Sequence, residues 1–157
     1  MAAARQLELD CEASFGSAAA RAVELRSEEV FEHSAGMLDL GDIEGVHDMR
    51  VATRRLRAAL EVFEPCFPAK RHRKALKRVK VLADALGERR DLDVEIDLLQ
   101  ELSAEVEDRD RAALATLIDE RRSRQRRAND DLAPFVADKR LRKLRKRLAK
   151  LVSEAKA

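Results

Sequence analysis

Apolar residues recur at intervals of three and four through most of the chain, which is the spacing of one face of an α-helix. The pattern predicts six helices, at about 17–40, 43–64, 69–86, 91–106, 110–132 and 135–155. The period-two alternation typical of half-buried strands is scarce. We therefore predict an all-α fold, a helical bundle of about six helices in a single domain spanning 1–157, with 1–16 as a disordered N-terminal segment.

The predicted helix boundaries rest on local breaking signals. Gly41-Asp42 separates the first two helices, and the prolines of Pro65-Cys66-Phe67-Pro68 make a stiff corner. Gly87 is expected to end the third helix in the left-handed conformation, and Asp91 to serve as the N-cap of the fourth. The fifth helix is expected to end before Pro134.

Composition supports a helical protein and indicates where in the cell it is expected. Among 157 residues, 39% are charged, while there are only 5 glycines and 3 prolines. No apolar run approaches the length of a membrane span, and no signal peptide is evident, so we expect a cytoplasmic protein. Cys11 and Cys66 lack neighbours with metal-ligand spacing and fit reduced thiols, with a Cys11–Cys66 bridge as the less favoured alternative.

Charge is segregated along the chain although the net charge is only +2. The net charges of 1–46, 47–90, 91–120 and 121–157 are −7, +8, −9 and +10. Such segregation predicts a basic zone that attracts polyanions beside an acidic remainder. The alternative is that helices of opposite charge neutralise each other where they pack.

The second predicted helix carries the most informative pattern. In chain order its cationic row is His47, Arg50, Arg54 and Arg57. At about 100° per residue these four side chains share one face, opposite the apolar face, while Arg55 lies about 100° away from Arg54. The planar guanidinium of arginine suits oxyanions, above all phosphate, so the row predicts an anion site.

A second basic stripe follows on the third predicted helix. Its members are Lys70, Arg73, Lys74, Lys77 and Lys80. Helices joined by a short corner are normally antiparallel neighbours, so the two stripes are expected to face one groove. Arg90, expected at a helix N-terminus, is a further candidate because helix N-termini favour anions. The basic last helix is either a solvated face or a second anion surface.

An enzyme is not expected. The histidines His33, His47 and His72 show no metalloprotease spacing, and neither a phosphate-binding loop nor a dinucleotide-binding glycine motif is present. No nucleophile paired with a base, and no cofactor site, stands out among the residues.

Two blocks of the sequence resemble the CHAD family, the histidine-bearing α-helical domain. VHDMRVATRRLRAALEVF (46–63) matches V-H-x-x-R-V-x-x-R-R-L-R, and LADALGERRDLDV (82–94) matches L-x-x-x-L-G-x-x-R-D-L-D-V. The resemblance implies a helical bundle of two similar halves around a basic pore that binds inorganic polyphosphate. The site residues it implies here are His47, Arg50, Arg54, Arg55 and Arg57, with Arg90 from the second block and Lys80 two residues before that block; Arg73 and Lys77 join by stripe geometry.

The expected partner is therefore inorganic polyphosphate, and polyphosphate granules are an expected location. Nucleic acid is the main alternative, disfavoured because the chain has no Trp and no Tyr to stack on bases. A structural partner of a phosphate-metabolising enzyme is the third interpretation. The residues resemble only the first half of a CHAD domain, so the chain is either a fragment or a half-length member. In the second case we expect a homodimer, with Leu141, Leu144, Leu148 and Leu151 or the apolar face of the first helix as the interface.

Overall fold

The computed structural model describes residues 4–10 and 12–156. Five α-helices account for most of the described chain: α1 (Phe15–Glu32), α2 (Ile43–Val62), α3 (Ala69–Glu105), α4 (Asp108–Val136) and α5 (Asp138–Ser153). A short 3₁₀ turn, Glu64–Cys66, joins α2 to α3, and no strand occurs in the described ranges. The prediction of an all-α bundle is confirmed.

The prediction that Gly87 ends a helix is wrong. Helix α3 runs for 37 residues through Gly87, so it merges the third and fourth predicted helices. Asp91 and Arg90 consequently lie inside a helix, and neither caps nor occupies an N-terminus. A helical glycine is unfavourable by about 1 kcal/mol relative to alanine, but Leu82, Leu86 and Leu92 are all buried around it. Packing on both sides of Gly87 therefore outweighs the local signal.

Other predicted boundaries shift for similar reasons. Helix α1 ends at Glu32 instead of Leu40, and the chain turns at Gly36, whose φ of 73° lies in the left-handed region that favours glycine. Helix α4 continues through Pro134 to Val136, beyond its predicted end. The predicted break before α2 is confirmed, because the Asp42 side chain caps this helix by accepting from the Gly45 amide at 2.9 Å.

The core lies between α1, α2, α3 and α5, with the end of α4 closing one side. Its α5 members are Leu141, Leu144, Leu148 and Leu151, each 8% exposed or less. The prediction that these leucines form a dimer interface is wrong, because they are already covered by the chain itself. Most of the apolar face of α1, including Val23 and Val30, is buried in the same core and is not available either.

The segment before α1 folds back on that helix. The Arg5 amide donates to Glu29 Oε1 at 2.7 Å, and the Arg5 guanidinium contacts Glu28 and Glu32. Cys66 is a buried free thiol, while Cys11 lies outside the described residues.

Candidate anion-binding groove

Helices α2 and α3 are antiparallel neighbours, as the sequence predicts, and two contacts define their register. Lys80 Nζ on α3 lies 3.0 Å from Glu61 Oε1 on α2. About three turns back along α2 and two turns further along α3, Arg50 Nε lies 4.0 Å from the position that a Cβ atom on Gly87 would occupy. Continuing this register by one turn brings His47 to the level of Arg90.

A buried histidine holds the other end of the helix pair. The Nε2–H of His72 donates to the Leu60 carbonyl at 2.7 Å, and the ring stacks on Phe67. His72 is fully buried, so its role is to join α3 to the end of α2. Of the three histidines, His47 is the one on the cationic row.

Among the described residues, the first three members of the α2 row have no carboxylate partner. His47 and Arg50 are half-buried, and Arg54 is exposed. Within residues 4–10 and 12–156, none of the three makes an ion pair. An arginine half-buried beside a neighbouring helix without a counter-ion is an arrangement that favours an incoming anion.

Two other cations of the groove, Arg57 and Lys80, already share a carboxylate partner. Glu61 Oε1 lies 3.1 Å from Arg57 Nε and 3.0 Å from Lys80 Nζ. Hydrogen bonds from Lys80 and then Arg57 lower the pKa of the Glu61 carboxyl below its usual 4.5. Sequence reasoning missed this acid, although its position four residues after Arg57 was a signal for a helix pair. Glu61 therefore occupies the place that a ligand oxyanion would take at this end of the groove.

Arg90 extends the groove at the opposite end. Its Nη1 atom is buried and has no hydrogen-bond partner among the described groups. A buried guanidinium donor without a partner is unfavourable until an acceptor arrives. The register places Arg90 at the level of His47, so an oxyanion bound between the helices would be in position to supply that acceptor.

Arg89, the residue before Arg90, has a different role, in packing α3 against α4, that the sequence did not reveal. Arg89 forms a fully buried ion pair with Asp93. Gln125 Nε2 donates to Asp93 Oδ1 at 2.6 Å, and Arg89 Nε donates to Asn129 Oδ1 at 3.3 Å. This network ties α3 to α4. The second motif block thus serves both the groove, through Arg90, and the packing of α4, through Arg89 and Asp93.

Three of the predicted site residues make no described contact in the groove. Arg73 and Lys77 are exposed on α3 and form no ion pair with a described residue. Arg55 is half-buried about 100° around α2 from Arg54, and it has an interaction within the chain. Contacts among the described residues join Arg57 and Lys80 through Glu61 and place Arg50 beside Gly87. The helix register puts His47, Arg54 and Arg90 along the same helix pair.

Two other kinds of site do not occur in the part of the chain that the structure describes. No three His, Cys, Asp or Glu side chains there come together in a way that could hold a metal ion. None of the described helices, including the long α3, is apolar enough over a sufficient length to cross a membrane.

Comparison with known proteins gives one match. The family model of the CHAD domain matches residues 21–157, which is most of the chain. No curated protein and no solved structure matches.

Proposed function

The chain belongs to the CHAD domain family, and we propose that it binds inorganic polyphosphate in the groove between α2 and α3. The observation that carries the proposal is the set of basic side chains on two facing helices without a carboxylate partner in the described chain: His47, Arg50 and Arg54 on α2 and Arg90 on α3. Polyphosphate presents closely spaced oxyanions along its whole length, so one ligand would supply acceptors to all of them.

The end of the groove near Glu61 supports the same ligand. Arg57 and Lys80 converge on one carboxylate oxygen, and both side chains are partly exposed. Exposed ion pairs are weak, so a phosphate group could replace Glu61 at little cost. The groove would then offer charge-assisted contacts from Arg90 at one end to Lys80 at the other.

Aromatic placement supports polyphosphate over nucleic acid. Phe67 is buried, while Phe31, Phe63 and Phe135 are partly buried against the core. Phe15 is exposed but packs on Phe63, with ring centroids 5.3 Å apart. Proteins that bind single strands stack successive bases on aromatic side chains, and the groove offers no such residues.

Titration of the purified chain with long-chain polyphosphate tests the proposal. Arg50→Ala and Arg54→Ala should each weaken binding by about 1–3 kcal/mol, the scale of charge-assisted hydrogen bonds. Arg109→Ala is the matched control, because Arg109 is exposed at the start of α4 and pairs with Glu107 at 3.2 Å. Equal losses at Arg54 and Arg109 would show that net charge alone drives binding, and the groove would be wrong.

Two further measurements separate polyphosphate from the alternatives. Log affinity should fall steeply with log salt, since a bound polyanion releases its counterions. Duplex and single-stranded nucleic acid, at equal phosphate concentration, should not displace polyphosphate; displacement would favour the nucleic-acid alternative.

Release of inorganic phosphate from the polymer would contradict a role in binding without catalysis. A fluorescent fusion imaged beside a polyphosphate stain would test the proposed location at cytoplasmic polyphosphate granules.

We also propose a homodimer, with a different interface from the one expected from the sequence. Val94, Leu98 and Leu102 form a row at intervals of four on α3, and they are 49%, 62% and 45% exposed. Contiguous exposed apolar residues often mark interfaces, and a twofold axis at this row would let two copies cover each other. Light scattering with Leu98→Glu as the dissociating variant tests this; a wild-type monomer with and without polyphosphate would contradict it.

A further inference from the structure

A second basic groove lies on the other side of α3, between α3 and α5. Two adjoining cavities of about 410 and 370 Å³ occupy it, and Arg147 lines both. Arg78 and Lys143 line the larger cavity, and Lys74 and Lys150 the smaller one. Neither cavity is lined by an aspartate or a glutamate.

The cations of this groove are largely unpaired. Arg71 at its edge contacts Glu154 at 2.7 Å, and Arg140 lies over the Phe135 ring. In the described chain, Lys74, Arg78, Lys143, Arg147 and Lys150 make no ion pair. Like charges this close repel each other within a Debye length, which favours a bound anion over an empty groove.

The arrangement differs from that on α4, where acidic side chains pair with some of the arginines. On α4, Arg121 contacts Glu95 at 2.7 Å and Arg122 contacts Asp119 at 3.7 Å. On α5 the cations spread around the exposed side of the helix, and Arg145 lies over the Phe31 ring. Arg142 and Lys146 point away from the core, while Lys143 and Arg147 lean towards α3 and line the cavity. The groove therefore collects cations on a concave surface instead of dispersing them.

The outer side of α3 connects the two grooves. At about 100° per residue, Arg73 and Lys77 lie between Lys80, on the α2 side, and Lys74, on the α5 side. Between Pro65 and Ala83 the sequence contains no acidic residue. Basic side chains thus form a continuous band across the first half of α3, and the band accounts for the two predicted site residues that lie outside the α2–α3 groove.

We propose that the α3–α5 groove is a second polyphosphate-binding surface, and that one long polymer crosses α3 to occupy both grooves. The inference rests on the proposed function and adds a surface and a dependence on polymer length to it. The axes of packed helices lie about 8–10 Å apart, so grooves on the two sides of α3 are separated by roughly that distance. Tripolyphosphate is too short to fill both grooves, whereas a long chain gains effective concentration at the second groove once the first is occupied.

The test compares two double variants of α5 that remove the same charge. Lys143→Gln/Arg147→Gln alters the groove, and Arg142→Gln/Lys146→Gln alters the outer face of the same helix. The first should weaken long-chain polyphosphate binding about tenfold or more and leave tripolyphosphate binding within about twofold. The second should change neither by more than about twofold. Circular dichroism should show the same helix content in both, since all four residues are exposed.

Two results would overturn the inference. Equal losses in the two double variants would mean that the net charge of α5, not the groove, attracts the polymer. A greater loss for duplex DNA than for polyphosphate in Lys143→Gln/Arg147→Gln would identify a nucleic-acid surface instead.

Arg54→Ala, measured beside them, separates this inference from the proposed function. If Arg54→Ala weakens long-chain binding and the α5 groove variant does not, only the second surface is wrong. If neither variant weakens it, the α2–α3 groove and the second surface both fail. If only the α5 groove variant weakens it, the polymer does not cross α3 and the α2–α3 groove is wrong.

Discussion

Helix α3 has two halves of similar charge density and opposite sign. From 69 to 90 it carries 9 basic and 2 acidic residues, and from 91 to 105 it carries 6 acidic residues and no basic one. The acidic half packs on α4, where Arg121 meets Glu95 and the buried Asp93 meets Arg89. In the basic half, Arg89 pairs with Asp93 across the junction, Lys80 pairs with Glu61 and Arg71 pairs with Glu154. Its other cations make no ion pair with a described residue.

The difference shows that one charge pattern serves two purposes in this fold. Neutralisation of packed helices, the alternative left open by the sequence, accounts for part of the α3–α4 side. It does not account for the first half of α3, because α2 and α5, its neighbours there, are themselves basic. Charge compensation within the chain stabilises one half, and we propose that the other half serves an external polyanion.

The largest expected effect is a loss of stability when a buried ion pair of the acidic half of α3 is removed. Asp93→Ala removes the partner of Arg89 and leaves a guanidinium buried without a counter-ion, which should lower the free energy of unfolding by about 3–5 kcal/mol. Chemical denaturation measures the loss. Glu101→Ala, on an exposed position of the same half, is the control and should change stability by less than about 0.5 kcal/mol. Similar losses in both variants would contradict a special role for the buried pair.

The next largest effect on stability is expected at Gly87, near the junction between the two halves of α3. The direction of the change in unfolding free energy is informative. Gly87→Ala should raise the free energy of unfolding by up to about 1 kcal/mol, because alanine is the better residue inside a helix. The new Cβ would lie 4.0 Å from Arg50 Nε, which is ordinary van der Waals contact. Thermal unfolding checks the direction. A clear loss of stability would mean that Gly87 ends a helix after all and that α3 is not continuous.

A smaller effect, on polyphosphate affinity, tests whether Glu61 competes with the ligand beside the basic half of α3. Glu61→Gln removes the carboxylate shared by Arg57 and Lys80, so both cations become available to polyphosphate. Binding should tighten by about twofold to fivefold, the scale of an exposed ion pair. Glu64→Gln changes the net charge equally at an exposed position outside the helix pair. An equal gain from Glu64→Gln would show that Glu61 does not compete with the ligand.

The smallest effect concerns pH. Lys80 and Arg57 lower the pKa of Glu61 in the folded chain below 4.5. The ion pairs of Glu61 therefore stabilise the fold at pH values above 4.5, and this stabilisation is lost as the pH falls through the folded-state pKa. The contribution should be at most about 0.5 kcal/mol, because the pairs are exposed to solvent. Comparing the unfolding free energies of the wild type and Glu61→Gln at neutral and acidic pH measures it. A difference that grows in acid would have the wrong sign.

Much of the site could be predicted from the sequence because helical periodicity is a local property. The spacing of His47, Arg50 and Arg54 places them on one face of α2 whatever surrounds the helix. The cap at Asp42 and the corner before α3 likewise depend on nearby residues. The all-α fold, the antiparallel pairing of α2 with α3 and the family followed from such signals.

Other features were decided by partners distant in the sequence. Whether Gly87 ends a helix depended on the burial of Leu82, Leu86 and Leu92, and the outcome placed Arg90 inside α3 instead of at a helix end. The leucines of α5 formed an apolar stripe in the sequence, but only packing showed that this stripe faces the core. The sequence by itself determined which face of each helix is basic, because that follows from 3.6 residues per turn. Only the tertiary structure decided which of those basic faces are neutralised and which remain open to a ligand, since counter-charges come from neighbouring helices.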